Sequence, residues 1–137
     1  MRWESKALIM ANQEIQTRTS LVRVEPAGIV RVTMLPGVEE TQADAQATMH
    51  AASTLLAGRR LPILVDMRNM KAQERQARQQ YASPEAVEIT QAVGLLVGSR
   101  VSQLIANFFI TLTKVVVPTK LFTDEAEAIT WLKGFLP

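Results

Sequence analysis

The sequence predicts a single α/β domain: a mixed, mostly parallel sheet of about five strands, opened by a β-hairpin and packed by helices. Three observations lead there. Short β-rich runs alternate along the chain with segments of helical period, which implies right-handed crossovers between parallel strands. Two continuous apolar runs, Pro62-Ile63-Leu64-Val65 and Val93-Gly94-Leu95-Leu96-Val97-Gly98, read as strands covered on both faces. The length, 137 residues, suits one hydrophobic core, which typically organises on the order of 100 to 150 residues.

Residues 1–17 have mixed polarity and no steady period, and are read as an N-terminal arm, disordered or carrying an extra short strand, ahead of a domain over 18–137. Leu21-Val22-Arg23-Val24-Glu25 and Ile29-Val30-Arg31-Val32-Thr33-Met34 alternate polar and apolar residues around the turn chemistry of Pro26-Ala27-Gly28, the pattern of an antiparallel hairpin. Past Leu35-Pro36-Gly37 the period changes. Ala45, Met49, Ala52, Leu55 and Leu56 fall on one helical face, so a helix is expected over about 40–57, ended by Gly58. The central strand at 62–65 then finishes at Asp66.

From Lys71 to Gln80 the residues favour helix, and Ser83-Pro84-Glu85 reads as an N-cap, a first-turn proline and an acid suited to the helix dipole. Two consecutive short helices are expected. After the strand at 93–98, Ser99 is placed to cap a helix with Val101, Leu104, Ile105, Phe108, Phe109 and Leu112 on one face. Lys120-Leu121-Phe122 reads as the last strand. Thr123-Asp124-Glu125 opens a C-terminal helix with Ile129, Leu132 and Leu136 inward. The expected order is ββαβααβαβα.

Composition narrows function. Apolar residues make up 47% and charged residues 20%, a packed globular balance far from that of disordered chains. The absence of cysteine removes disulfides, thiolate catalysis and sulfur-ligated metal sites. The apolar run Ala7-Leu8-Ile9-Met10 is too short for a signal-peptide core or a membrane span, and a cytoplasmic protein is expected. A net charge of +2 with few aromatics lacks the clustered basic and stacking residues of a nucleic-acid binder.

The order and spacing of three stretches, Ile63-Leu64-Val65-Asp66, Gly94-Leu95-Leu96-Val97-Gly98-Ser99-Arg100-Val101 and Leu121-Phe122-Thr123-Asp124-Glu125-Ala126-Glu127-Ala128-Ile129-Thr130-Trp131-Leu132, resemble the STAS/SpoIIAA-like small bacterial domains. The resemblance spans residues 19–136. It implies the STAS/SpoIIAA-like fold. Well-studied members of that group antagonise anti-sigma factors and are switched by phosphorylation of a serine at the start of the helix after the strand matching 62–66. Here the corresponding stretch, 67–82, holds no serine or threonine, and Tyr81 is its only hydroxyl. The phospho-switch is therefore not carried over. The chain looks more like the less characterised SpoIIAA-like branch, part of which is similar to CRAL-TRIO lipid-binding domains.

Candidate residues group in three places. In an open α/β sheet, ligands gather outside the carboxyl ends of the strands, which would bring together Asp66, Arg68, Asn69, Ser99 and Arg100. The plainer role for Asp66 and Ser99 there is to bond backbone N–H groups at the following helix starts. Arg68, Lys71, Arg75 and Arg78, spaced 3, 4 and 3 apart, would form one basic face if a continuous helix carried them, suited to an acidic partner or an anionic surface. Glu74 could pair with Arg78 on the same helix, as on many solvated faces. Phe108, Phe109, Ile110 and Trp131 are ordinary core aromatics and aliphatics, or a dimer contact or apolar pocket where helix faces exceed the sheet.

His50 is the only histidine, so no Ser/His/Asp or Cys/His relay has a second member to choose from. No metal motif, GxGxxG or GxxxxGK[ST] occurs, and no catalytic residue, metal or cofactor is assigned. The leading reading is a non-enzymatic protein-interaction or regulatory module, self-associating as a dimer. The alternative is a binder of a small apolar or amphipathic, lipid-like ligand, between the sheet and the helices at 99–113 and 123–136. A third reading, carboxylate and arginine catalysis at Asp66, Arg68 and Arg100, requires a convergent cleft.

Overall fold

The structure is a computed structural model and describes residues 13–98 and 117–137. Six strands form one sheet in the order β1-β2-β3-β5-β7-β8. The first three, β1 (Glu14–Gln16), β2 (Ser20–Val24) and β3 (Val30–Met34), pair antiparallel. From β3 onward, β5 (Leu61–Asp66), β7 (Thr90–Leu96) and β8 (Thr119–Phe122) are added in parallel. The expected hairpin is present, with Val22 opposite Val32 and Val24 opposite Val30. Its turn closes where Gly28 N–H donates to the Glu25 carbonyl at 2.9 Å. Gly28 sits at φ 92 with a Cβ position 3.2 Å from Leu136, so a side chain there would be strained twice over. The sixth strand, β1, lies in the stretch read as an arm.

Two faces of the sheet are covered. Val30, Val32, Ile63, Val93 and Leu95 point to one side, where α1 (Gln42–Leu56), α2 (Arg75–Tyr81) and α3 (Pro84–Ile89) pack. Ile29, Leu64, Ala92 and Leu96 point to the other, under α4 (Glu125–Lys133). Strand alternation makes this possible, since each parallel strand must be apolar on both faces. On the α4 side the approach is tight: a Cβ at Gly94 would lie 3.1 Å from Leu132, which is itself fully buried.

The caps follow local chemistry. Thr41 and Asp44 make a reciprocal capping box at the start of α1, and Ala57 and Gly58 close its end in left-handed conformation. Ser83 caps α3 with Pro84 in its first turn, and Asp124 caps α4 by accepting from Glu127 N–H at 2.9 Å.

One expected element is corrected. Residues 71–74 do not begin a helix: Ala72–Gln73 form β6, pairing in parallel with β4 (Glu39–Glu40). Lys71 and Ala72 N–H donate to the Val38 carbonyl, and Glu74 N–H to the Glu40 carbonyl. This small ladder holds the segment extended although its residues favour helix. The second buried strand also starts earlier than the apolar run at 93–98 indicated, because Thr90 leaves α3 directly into β7.

Candidate functional site

Asp66 ends β5 on the α4 side of the sheet. Its Oδ1 accepts from Arg68 backbone N–H at 3.2 Å and from Arg68 Nε at 3.0 Å, and its Oδ2 accepts from Arg68 Nη2 at 2.7 Å. Arg31, reaching over from β3, approaches the same carboxylate at 3.5 Å and bonds Glu125 at the start of α4. Arg68 also reaches Glu125, at 3.4 Å, and Arg31 reaches Glu25 at 3.8 Å. Burial pushes the Asp66 carboxyl up, but the hydrogen bonds and charge of Arg68, with Arg31 behind, outweigh it and hold the group below its ordinary value of 3.8. This carboxylate stays ionised and its lone pairs are occupied, which suits it to tying α4 to the sheet and leaves it no capacity as a base.

Of the five strand-end candidates, Asp66 and Arg68 meet. Asn69 follows in the turn, its carbonyl accepting from Gly37 N–H at 2.9 Å. Ser99 and Arg100 lie outside the described residues. The basic face is dispersed: Arg68 belongs to a turn, Lys71 precedes β6 and pairs with Glu39 at 3.3 Å, and only Arg75 and Arg78 are on α2. The continuous helix that would align all four is absent because β6 interrupts it. Phe108, Phe109 and Ile110 lie outside the described residues. Trp131 is half-buried, its ring 5.6 Å from that of Phe122 and 4.8 Å from that of Phe135. His50 is exposed on α1. Among the described residues no three His, Asp or Glu side chains converge as metal ligands.

An apolar concavity lies on the other face. Between the sheet and α1 to α3 is a cavity of about 70 Å³ with apolar walls from β3, β5 and β7. Met34, Met49, Met67 and Met70, four of the six methionines in the chain, line it. One end is polar. There Glu40, only 1% exposed, accepts from Tyr81 Oη at 2.5 Å and from Gln73 Nε2 at 2.7 Å. Burial raises the Glu40 carboxyl above its ordinary 4.5, against the two hydrogen bonds, and burial beside Glu40 likewise raises the Tyr81 phenol well above 10.0. Among the described residues no lysine or arginine pairs with Glu40. Gln73 Oε1 is buried and has no hydrogen-bond partner.

Three elements build this corner. The β4 and β6 ladder brings Glu40 and Gln73 side by side, and α2 delivers Tyr81 from its last turn. Sequence reasoning missed Glu40, since the second of two glutamates at the expected start of a helix reads as solvated. The available signal was the methionines, whose flexible thioethers fill irregular or adaptable space.

The layered arrangement, an antiparallel hairpin leading into parallel strands with helices on both faces, is a SpoIIAA-like fold. An uncharacterised DUF3478-family protein from Shewanella loihica PV-4, described as having a SpoIIAA-like fold, superimposes with a TM-score of 0.57 at 14% identity, over 88% of this chain and 90% of that one. The model of a domain family of unknown function, DUF7793, matches residues 22–136, and the chain belongs to that family. A protein of unknown function from Arthrobacter sp. FB24 is 32% identical over 87% of this chain and 96% of its own, with a TM-score of 0.35. No curated protein matches. No helix among the described residues is long and apolar enough to cross a membrane.

Proposed function

We propose that this domain is a non-enzymatic binding module that holds a small, largely apolar ligand in the cavity between its sheet and α1 to α3. The observation carrying the reading is a methionine-lined cavity that ends in a buried carboxylate, amide and phenol. Apolar walls with a few placed polar groups are what small-molecule sites are made of. At about 70 Å³ the space is smaller than the roughly 150 Å³ cavity that accepts benzene, so a compact ligand fits, and methionine rotamers can widen the site for a longer one. The site differs in place from the pocket expected beside the C-terminal helices. The cluster around Asp66 and Arg68 speaks against the catalytic reading, because among the described residues its carboxylates are engaged by Arg31 and Arg68.

Native mass spectrometry of freshly purified protein, set against its denatured mass, tests this. Retained small mass that Ala52→Leu displaces by filling the cavity is the expected result. A bare chain whose methionine methyl resonances ignore small apolar probes sinks the reading.

The protein-interaction reading retains support from Arg68, Lys71 and Arg75, which are exposed along the chain between the end of β5 and the start of α2. Such a stretch suits an acidic partner surface. Charge reversal at Lys71 and Arg75 should abolish recovery of a stoichiometric partner from native lysate, and equal recovery by wild type and variant would end it. The same native spectra report whether the chain is a dimer.

A further inference from the structure

We infer that the cavity is built for a small organic ammonium: a short alkyl chain ending in a protonated amine that donates to the Glu40 carboxylate and to Gln73 Oε1. The inference rests on the cavity being a ligand site. Its argument is the electrostatic incompleteness of the polar end.

Among the described residues three buried acids are treated differently. Asp44 is paired with Arg18, and Asp66 with Arg31 and Arg68. Glu40, the least exposed of them, receives only the neutral donors Tyr81 and Gln73. An ionised carboxylate offers about four lone-pair positions, so two donors leave it half satisfied. Burying such a group without a counter-charge is costly. The amide beside it adds to the demand: Gln73 gives its N–H to Glu40 and leaves its own Oε1 buried and unbonded. Both vacancies are acceptors. A ligand completing them must supply several N–H donors and positive charge from one compact head, as a primary ammonium does.

The rest of the cavity sets the remainder of the molecule. Methionine and aliphatic walls exclude a second charged end and favour an alkyl tail. The volume, about 70 Å³, holds on the order of two to three waters' worth of space, at about 30 Å³ each, which fits a head and one or two carbons, with methionine rotamers making room for a third. Carboxylates are excluded by repulsion from Glu40, and alcohols bring one donor and no charge. Because burial raises the Glu40 carboxyl, ammonium binding should weaken as pH falls and the carboxylate takes up a proton.

The experiment is a titration of the full chain, followed by methionine-methyl NMR near neutral pH, with propylammonium, 1-propanol and propanoate. Propylammonium should shift the methyls of Met34, Met49, Met67 and Met70 saturably, at least tenfold tighter than 1-propanol, with propanoate inert. Glu40→Gln should reduce propylammonium to the level of 1-propanol and leave 1-propanol unchanged. Equal affinity of wild type for propylammonium and 1-propanol overturns the ammonium assignment while the cavity reading stands, and this comparison needs no variant to fold. Silence toward all three probes overturns the cavity reading and the assignment together.

Discussion

Asp66 and Glu40 are both carboxylates withdrawn from water beside the same sheet, one on the α4 face and one on the α1 face. Asp66 sits among guanidinium groups and is held below its ordinary pKa, whereas Glu40 sits among neutral donors and is raised above its own. Burial pushes both carboxyls up, yet the outcomes are opposite, because only Asp66 has charged partners to outweigh it. A paired buried charge is a fastening; one left without a counter-charge at the end of a cavity is an invitation to a ligand.

The largest expected effect is on the fastened side. Asp66→Ala leaves Arg31, whose side chain is 13% exposed, short of a partner and should cost about 3 kcal/mol, read as a lowered urea midpoint with unchanged slope. A cost below about 1 kcal/mol, the range of exposed pairs, would dissolve the contrast. Next is the closed packing of that face: Gly94→Ala, forcing a Cβ against Leu132, should cost about 1 to 3 kcal/mol in the same assay.

The Glu40 side is sharpened by pH. A raised folded pKa means that the native state keeps its proton where the unfolded chain has lost it. Glu40 therefore subtracts stability as pH rises from about 4.5 through the raised value, and the loss persists above it. The melting temperature of Glu40→Gln relative to wild type should be more favourable at pH 8 than at pH 4, and an identical offset at both would show Glu40 to be unperturbed. Asp66 has the opposite sign: its contribution is present above 3.8 and fades as pH falls through the depressed folded value. The smallest effect belongs to neither cluster. Lys71→Ala removes an exposed pair with Glu39 and should change stability by less than about 1 kcal/mol.

How much could be read from sequence depended on how far apart the deciding partners lie. The hairpin, the β5 strand and the caps of α3 and α4 are written within a few residues, as at Ser83-Pro84 and Asp124-Glu125. The extended run at 71–74 was not, because Val38 and Glu40, more than thirty positions earlier, supply its hydrogen bonds. Glu40 is a stronger case: its burial depends on Gln73 and on Tyr81, 41 residues away. Asp66 and Arg68 were legible as neighbours at a strand end, but Arg31 and Glu125, which saturate them, come from either end of the domain. The basic spacing at 68–78 presumed a continuous helix and dispersed once β6 formed. Met34 fell in a strand run and Met49 on a helix face, and the cavity they share with Met67 and Met70 emerged only from the packing.

The sheet's margins carry a consequence for assembly. Among the described residues β1 and β8 have no outer neighbour. They are three and four residues long, with Glu14 and Lys120 exposed on them. Short, charged margins offer an incoming strand few backbone hydrogen bonds and an unwelcoming surface, which is how soluble sheets resist fusing into fibrils. Joining two copies edge to edge at these two margins is thereby disfavoured.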